Sequence, residues 1–276
     1  MTMKFRYLSL RLIRHFMPRS LTHFLLRHNL VIQPGYETRQ PAERVTQYQT
    51  VLEQFGRTLQ GQSILNFGYG GNFALACGLL QAGASHVTLL DKFAPPDDHF
   101  NQPLLAKFPQ YLALVNGQVR PRSEVITLSD DDLHNVAEQP DRTRYDIVLS
   151  SSVYEHLDDV DGITRSMALL TKPEGCQVHY IDLRDHYFKY PFEMLTFSEK
   201  TWKTWLNPGS NLNRFRLNDY RCTFEHYYAE THLEVLERDL ANFEQARGRI
   251  DPKFLIGDPE VDAVTLLLVF VATPAS

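Results

Sequence analysis

The sequence predicts an α/β fold: a mostly parallel sheet of seven strands, helices on both faces, an antiparallel last strand, and a basic helical arm in front. Three observations predict it. Short apolar runs of strand length alternate with helical stretches between residues 63 and 182, and such continuous runs belong to strands buried on both faces of a parallel sheet. The first run passes directly into a glycine cluster and then a helix, the strand-turn-helix join of open α/β sheets. After residue 228 the rhythm breaks, and two strand candidates follow each other with no evident covering helix. An antiparallel edge hairpin accounts for that break.

In chain order, Phe5, Leu8, Leu12 and Phe16 fall on one helical face with arginines interleaved, until Pro18 interrupts. A second short amphipathic piece runs from Leu21 to Leu26. Val45, Tyr48, Val51, Leu52 and Phe55 then share a face of a lead-in helix that Gly56 ends,. The strand candidates are Ser63 to Phe67, His86 to Leu90, Glu124 to Leu128, Tyr145 to Ser150, Cys176 to Asp182, His232 to Glu237 and Val261 to Ala272. Helices are expected over Asn72 to Gln81, closed by Gly83, and over Asp161 to Leu170. Residues 1–60 thus form an arm and lead-in helix, and 61–276 the main domain. The stretch 184–228 is an aromatic-rich insertion holding Tyr187, Phe188, Trp202, Trp205, Phe224 and seven further aromatics. It reads either as a lid or substrate wall over the sheet or as the insertion's own core, and twelve aromatics favour the core.

The chain of 276 residues has a formal charge of −5, which argues against a nucleic-acid partner,. The average conceals an asymmetry. Residues 1–36 carry Lys4, Arg6, Arg11, Arg14, Arg19 and Arg27 and no acid, so they sum to +6 and leave −11 for the remainder. Such an arm either lies in the plane of an anionic membrane through residues 1–30 or docks on its own domain. The arginines cut across any secretory core, and no apolar run approaches the roughly 18 residues of a spanning helix. Cys77, Cys176 and Cys222 are widely spaced, as expected for reduced thiols in a cytoplasmic protein, possible contact with the inner membrane face included. Oligomeric state is not legible.

The chemistry concentrates in ILNFGYGGNFALA, residues 64 to 76. Glycines here permit a tight turn and close backbone approach to a ligand, while the following helix offers unpaired N–H groups. Glycine turns also serve packing. Asp91, closing the second strand about 25 residues on, adds an acid able to accept both hydroxyls of a ribose; its other reading is a helix cap.

With VTLLDKF, EVITLSDDDL, YDIVLSSSVYEHL and GCQVHYIDLRDHY, this order resembles the class I S-adenosylmethionine-dependent methyltransferases over residues 63 to 272. The resemblance implies a Rossmann-like fold, S-adenosylmethionine as cofactor and methyl transfer as activity. Gly68 and Gly70 match the first two glycines of the acid-x-Gly-x-Gly-x-Gly loop; Asn66 stands in the acid's place and Asn72 in the third glycine's. By that likeness Asn66, Gly68, Tyr69 and Gly70 face the methionine part, Asp91 the ribose, Lys92 or Phe93 the adenine ring, and Asp130 or Asp131 its amino group. Ser150, with Ser151 and Ser152, follows the fourth strand at the ligand edge, where serines also simply form turns. A finer likeness is to bacterial methyltransferases of surface-polysaccharide or small-molecule pathways, carried by PGYETRQPAERVTQY, IDLRDH, LTFSEKTW and NRFR. It implies a small-molecule or glycan-precursor acceptor.

Methyl transfer from a sulfonium is an in-line displacement that needs positioning, and a base when the acceptor is a hydroxyl. His186, oriented by Asp182 or Asp185, and His156 beside Glu155 are the candidate bases. Asp182, Asp185 and His186 also have metal-ligand chemistry, but a structural network with Arg184 is preferred and no metal is expected. Arg214 or Arg216 is expected to grip an anionic or polyol acceptor together with Asp185; core hydrogen bonding and surface ion pairs are their other roles. Two rival functions remain: an NAD(P)-dependent oxidoreductase, which the spacing GYGGN disfavours against GxGxxG, and a noncatalytic cofactor-binding scaffold, which Asn66 and Asn72 would mark.

Overall fold

The computed structural model describes residues 2–18, 21, 39–186, 189–207 and 211–274. The piece Leu21 to Leu26, apart from Leu21, lies outside them, as do Tyr187 and Phe188.

The sheet has the predicted seven strands. These are β1 (Ser63–Phe67), β2 (His86–Leu90), β5 (Ile126–Ser129), β6 (Tyr145–Ser151), β7 (Thr171–Asp182), β8 (Tyr228–Arg238) and β9 (Val264–Pro274), in the order β5-β2-β1-β6-β7-β9-β8. β1 lies at the centre, parallel to β2 and β6, and β7 is parallel to β6. β9 is antiparallel to both β7 and β8, between which it inserts. The last strand is therefore the reversed one, as its position after a bare hairpin suggested. A helix does lie between β8 and β9, however: Leu240–Arg247, started by Asp239, whose carboxylate accepts from Asn242 N–H. Its short, weakly amphipathic sequence hid it. A further hairpin, β3 (Leu112–Val115) with β4 (Gln118–Pro121), turns on Asn116 and Gly117 at φ 51° and 77°, the mirror-image turn that Asn-Gly favours.

Of the main helices, those of the arm, the lead-in, 72–81 and 161–170 are predicted by the sequence, and those at Asp98–Lys107, Leu133–Glu138 and Leu217–Tyr227 are not. α1 is Thr2–His15, α2 Pro41–Gln54, α3 Ala74–Gln81, α4 Asp98–Lys107, α5 Leu133–Glu138, α6 Val160–Leu170 and α7 Leu217–Tyr227. Proline opens α2, where its missing N–H costs nothing,. A Cβ on Gly78 of α3 would stand 2.8 Å from a Val45 methyl, so this glycine lets α2 and α3 approach. α2 then reaches the sheet: Tyr48 donates to the Ser150 carbonyl at 3.1 Å, and Arg44 lies 3.8 Å over the Tyr180 ring.

Apolar clusters fill both faces of the sheet, and a third occupies the insertion, where Phe192, Met194, Trp202 and Leu206 meet Phe243 and Ile250. The insertion's aromatics are largely core. Tyr190, Phe192, Trp202, Tyr220, Phe224 and Tyr228 are buried, while Trp205 is exposed.

The arm docks on this wall, but not by the face its apolar pattern marks. Phe5, Leu12 and Phe16 are exposed, and Tyr7 and Arg11 are buried. The Tyr7 ring stacks on Phe197 at 5.9 Å and meets Tyr190 edge-on, while the Arg11 guanidinium lies 4.8 Å over Trp202. Both side chains converge on the carboxylate of Asp185, Arg11 as an ion pair and Tyr7 by its hydroxyl. A buried carboxylate needs such partners, and this requirement selects the docked face.

Candidate functional site

Between β1 and the start of α3 the chain turns on Gly68, Gly70 and Gly71, all at positive φ (78°, 65° and 80°). A side chain is excluded at two of them. A Cβ on Gly68 would stand 2.4 Å from a Val153 methyl, and one on Gly71 2.5 Å from the Pro95 carbonyl. The turn is braced from below: Gly68 N–H donates to the Leu90 carbonyl at 2.8 Å, and buried Asn101 accepts from Phe73 N–H (2.9 Å) and donates to the Gly71 carbonyl (2.8 Å). Asn72, at the third glycine's place, accepts from Ala74 N–H at 2.7 Å and so starts the helix. Asn101 gave no signal in the sequence, because its role depends on a contact with a loop thirty residues away.

Asp91 faces this turn as expected. One carboxylate oxygen accepts from Gly70 N–H at 3.1 Å, the other from Phe93 and Ala94 N–H at 2.9 and 3.0 Å. Tyr69 is buried, and burial, with the negative charges of Asp91 and Asp130 outweighing nearby Arg120, pushes its phenol up to about 12. Asp130 is thus close enough to act on the turn electrostatically, and it is exposed at the end of β5. Asn66 is fully buried in β1. Phe93 presents its ring to solvent, 85% exposed. Lys92 does not share that position: it turns to Asp132, 2.8 Å away, and holds that carboxyl below its ordinary range.

Other expected site residues are committed to the interior. Ser150 is fully buried, its hydroxyl 2.8 Å from Nδ1 of His179 on β7. Asp182 is gripped by Arg184 through both oxygens at 2.9 and 2.8 Å, which is the structural network preferred from sequence. Asp185 is fully buried under the arm, its carboxylate taken by Arg11 and Tyr7, so it does not face an acceptor. Arg214 donates to the Met194 and Phe197 carbonyls and pairs with Glu199, and Arg216 donates to the carbonyls of Leu183, Asp262 and Val264. Both arginines are buried. Arg214 braces the insertion internally and Arg216 ties it to the sheet, and acceptor gripping is not the role their placement supports.

His156 and His186 do come together, with ring centroids 4.8 Å apart. His156 sits in the 3-10 turn Tyr154–His156 directly after β6, and His186 follows β7. Val153, which precedes that turn, touches the glycine turn at Gly68. Near both histidines lies Glu155, buried at 3% exposure. Neither of its carboxylate oxygens has a well-aligned hydrogen-bond partner, though the backbone N–H groups of Glu155 itself and Asp182 lie near enough to favour its charge. Burial first, and the charge of Asp182 second, push its carboxyl well above the usual range. Sequence reading placed Glu155 only as a neighbour of His156.

A cleft of about 460 Å³ opens at the opposite, amino-terminal edge of the sheet. There Lys172 pairs with Asp146 at 2.8 Å and Arg57 donates to the Glu174 carbonyl at 3.0 Å.

No protein-family model and no curated protein matches the sequence. Solved structures do match it. A phosphoethanolamine N-methyltransferase 2 of Haemonchus contortus, solved with phosphomonomethylethanolamine and S-adenosylhomocysteine, aligns over 83% of this chain and 53% of its own, at 14% identity and a TM-score of 0.50. This chain therefore spans about half the length of that enzyme. Magnesium protoporphyrin IX methyltransferase of Synechocystis PCC 6803, with bound S-adenosylhomocysteine, aligns over 94% of this chain and 97% of its own at 16% identity and a TM-score of 0.47. The N-methyltransferase NodS of Bradyrhizobium japonicum aligns over 84% and 87% at 12% identity and 0.44. At these identities the likeness is one of architecture. The chain has the Rossmann-like fold of class I S-adenosylmethionine-dependent methyltransferases.

Proposed function

We propose that the chain transfers a methyl group from S-adenosylmethionine to a small-molecule or glycan-precursor acceptor. The observation that carries this reading is the convergence of three positive-φ glycines after β1 with the Asp91 carboxylate after β2. It lies at the carboxyl edge of the sheet, where β1 has β2 on one side and β6 on the other, the switch point at which open α/β sheets bind ligands. The residues fit the cofactor. The glycine turn leaves room for the methionine part, Asp91 has lone pairs for ribose hydroxyls, and the exposed Phe93 ring offers a face to adenine. Buried Asn66 would meet the cofactor's amino group through its amide oxygen. Bound there, the cofactor supplies an electrophilic methyl on a sulfonium. The acceptor would sit beside the turn at His156 and His186, and either imidazole, when it holds no metal ion, can take the proton of an acceptor hydroxyl.

Calorimetric titration of the full chain with S-adenosylhomocysteine tests this reading. One saturable site is expected, and Asp91→Ala should weaken it about 10- to 100-fold, the effect of losing hydrogen bonds to a charged group. No saturable heat at millimolar ligand from a folded sample would overturn the reading. A rise in Tm with NADH instead would reassign the site to a dinucleotide.

The membrane contact proposed for residues 1–30 is supported by the exposed Phe5, Ile13 and Phe16 on the docked arm. Among the described residues no helix is long and apolar enough to cross a membrane. Replacing Phe5 and Phe16 by serine should abolish sedimentation with anionic liposomes; equal sedimentation of both proteins would remove the idea.

A further inference from the structure

We propose that Glu155, His156 and His186 bind a divalent first-row transition-metal ion whose open coordination positions receive oxygen atoms of the acceptor. The acceptor's part in this rests on the methyltransferase reading; metal binding itself stands on the cluster alone.

One ligating atom from each of the three side chains can be chosen so that all lie within 4.8 Å of one another. Around an ion with bonds of about 2.0–2.2 Å, ligand atoms stand roughly 3–4 Å apart, so a modest rotamer change of exposed His186 closes the set. Two imidazoles and one carboxylate suit zinc, cobalt, iron or manganese better than magnesium or calcium, which prefer oxygen. Three protein ligands also leave the ion's sphere open, as in catalytic sites.

The case turns on Glu155. A buried carboxylate without well-aligned partners is costly; the backbone N–H groups of Glu155 and Asp182 relieve it only in part, and burial and the Asp182 charge outweigh them. Arg184 lies near, but its guanidinium is occupied by Asp182. A cation between Glu155 and the two histidines removes the deficit.

The surrounding hydrogen bonds orient the ligands. His156 Nδ1 donates to the Asn211 carbonyl at 2.7 Å, which directs the lone pair of the neutral ring to Nε2, the usual arrangement behind a metal-bound histidine. Asn211 Nδ2 donates to the His156 carbonyl at 3.1 Å and to Asp158 at 2.9 Å. Asn213 donates from its side chain to the carbonyls of Tyr154 (2.7 Å) and Leu157 (3.1 Å), and from its backbone to that of Glu155 (2.9 Å). Residues 211–213, far away in sequence, thus clamp the turn that carries two of the three ligands. The third, His186, adjoins Asp185, which the arm holds through Arg11 and Tyr7.

The test uses the full chain, stripped with a chelator and titrated calorimetrically with MnCl₂ and with ZnCl₂, with S-adenosylhomocysteine titrated into the same preparation. One equivalent of metal is expected, weakened at least about 10- to 100-fold in both Glu155→Gln and His186→Gln. His186 is exposed, so its variant keeps the fold even if Glu155→Gln does not. Cobalt(II) absorption should show mixed nitrogen and oxygen ligation in the parent protein and lose it in the His186 variant. No metal binding at millimolar concentration, or equal binding by parent and variants, overturns the inference. If S-adenosylhomocysteine binds and metal does not, the site fails and the methyltransferase reading stands; the reverse result fails the methyltransferase reading and leaves the site.

Discussion

Replacing Arg11 by alanine is expected to destabilise the protein by about 3–5 kcal/mol, the usual result of removing one partner of a buried ion pair. Arg11 and Asp185 are 1% and 0% exposed, and Asp185 would keep only the Tyr7 hydroxyl among these partners. Tyr7 cannot supply the missing positive charge: burial and Asp185 both hold its phenol protonated, so it remains a neutral donor. The loss extends beyond electrostatics: the guanidinium covers the Trp202 ring, so a void opens against the insertion's core. At about 2–4 °C per kcal/mol for chains of comparable size, Tm should fall by roughly 10 °C. Urea unfolding of the parent, Arg11→Ala, and the double variant Arg11→Met with Asp185→Leu measures the effect. The double variant should recover most of the loss, since replacing both charges by apolar groups removes the uncompensated carboxylate. A loss below about 1 kcal/mol in Arg11→Ala, the range of an exposed pair, would mean that the arm is undocked in solution.

The arm also marks the limit of what local pattern can reveal. The order of strands and helices was readable because each parallel strand must be apolar throughout and each joining turn needs its glycine, and both requirements lie within a few residues. The β3–β4 hairpin went unpredicted although its signal, Asn116-Gly117, is equally local. The docked face of α1 has no such local signal. Its apolar stripe points to Phe5, Leu8, Leu12 and Phe16, yet of these only Leu8 packs on the insertion's core, and the buried side chains among those described are Tyr7 and an arginine whose partner lies 174 residues on. The same distinction divides the site residues. Gly68, Gly70 and Asp91 hold their places because backbone conformation and strand ends are local properties. Ser150, Asp185, Arg214 and Arg216 were assigned to ligands by residue type, and each proved to satisfy a buried group supplied by another segment. Glu155 is the converse case. Its burial is imposed by the clamp from Asn211 and Asn213, so nothing in VYEHL distinguishes it from a surface glutamate.

Acidification below pH 6.5 is expected to destabilise the fold through His179, with a slope approaching 1.4 kcal/mol per pH unit for one proton. His179 is completely buried, and burial pushes its imidazole down from 6.5 to about 3. The unfolded chain therefore binds a proton between those values that the folded one refuses, so stability rises with pH across the window and is fully present above it. By pH 3 the contribution lost amounts to about 4–5 kcal/mol. The hydrogen bonds explain why the ring stays neutral. Gln177 Oε1, 2.8 Å from Nε2, can only accept, so Nε2 carries the proton and Nδ1 accepts from the Ser150 hydroxyl at 2.8 Å,. Gln177 in turn donates to Thr171 Oγ1 at 2.6 Å, and Thr171 to the Met167 carbonyl at 2.8 Å. A second proton on the ring would face Ser150 with no carboxylate in the chain, between the Tyr154 and Phe224 rings. His179→Gln keeps one donor and one acceptor without titrating. Urea midpoints measured from pH 7.5 to 4.5 should fall more steeply in the parent than in the variant, whatever constant offset the substitution adds. Equal slopes would show that His179 is protonated in the folded protein, and that the chain from Ser150 to Met167 does not hold its direction.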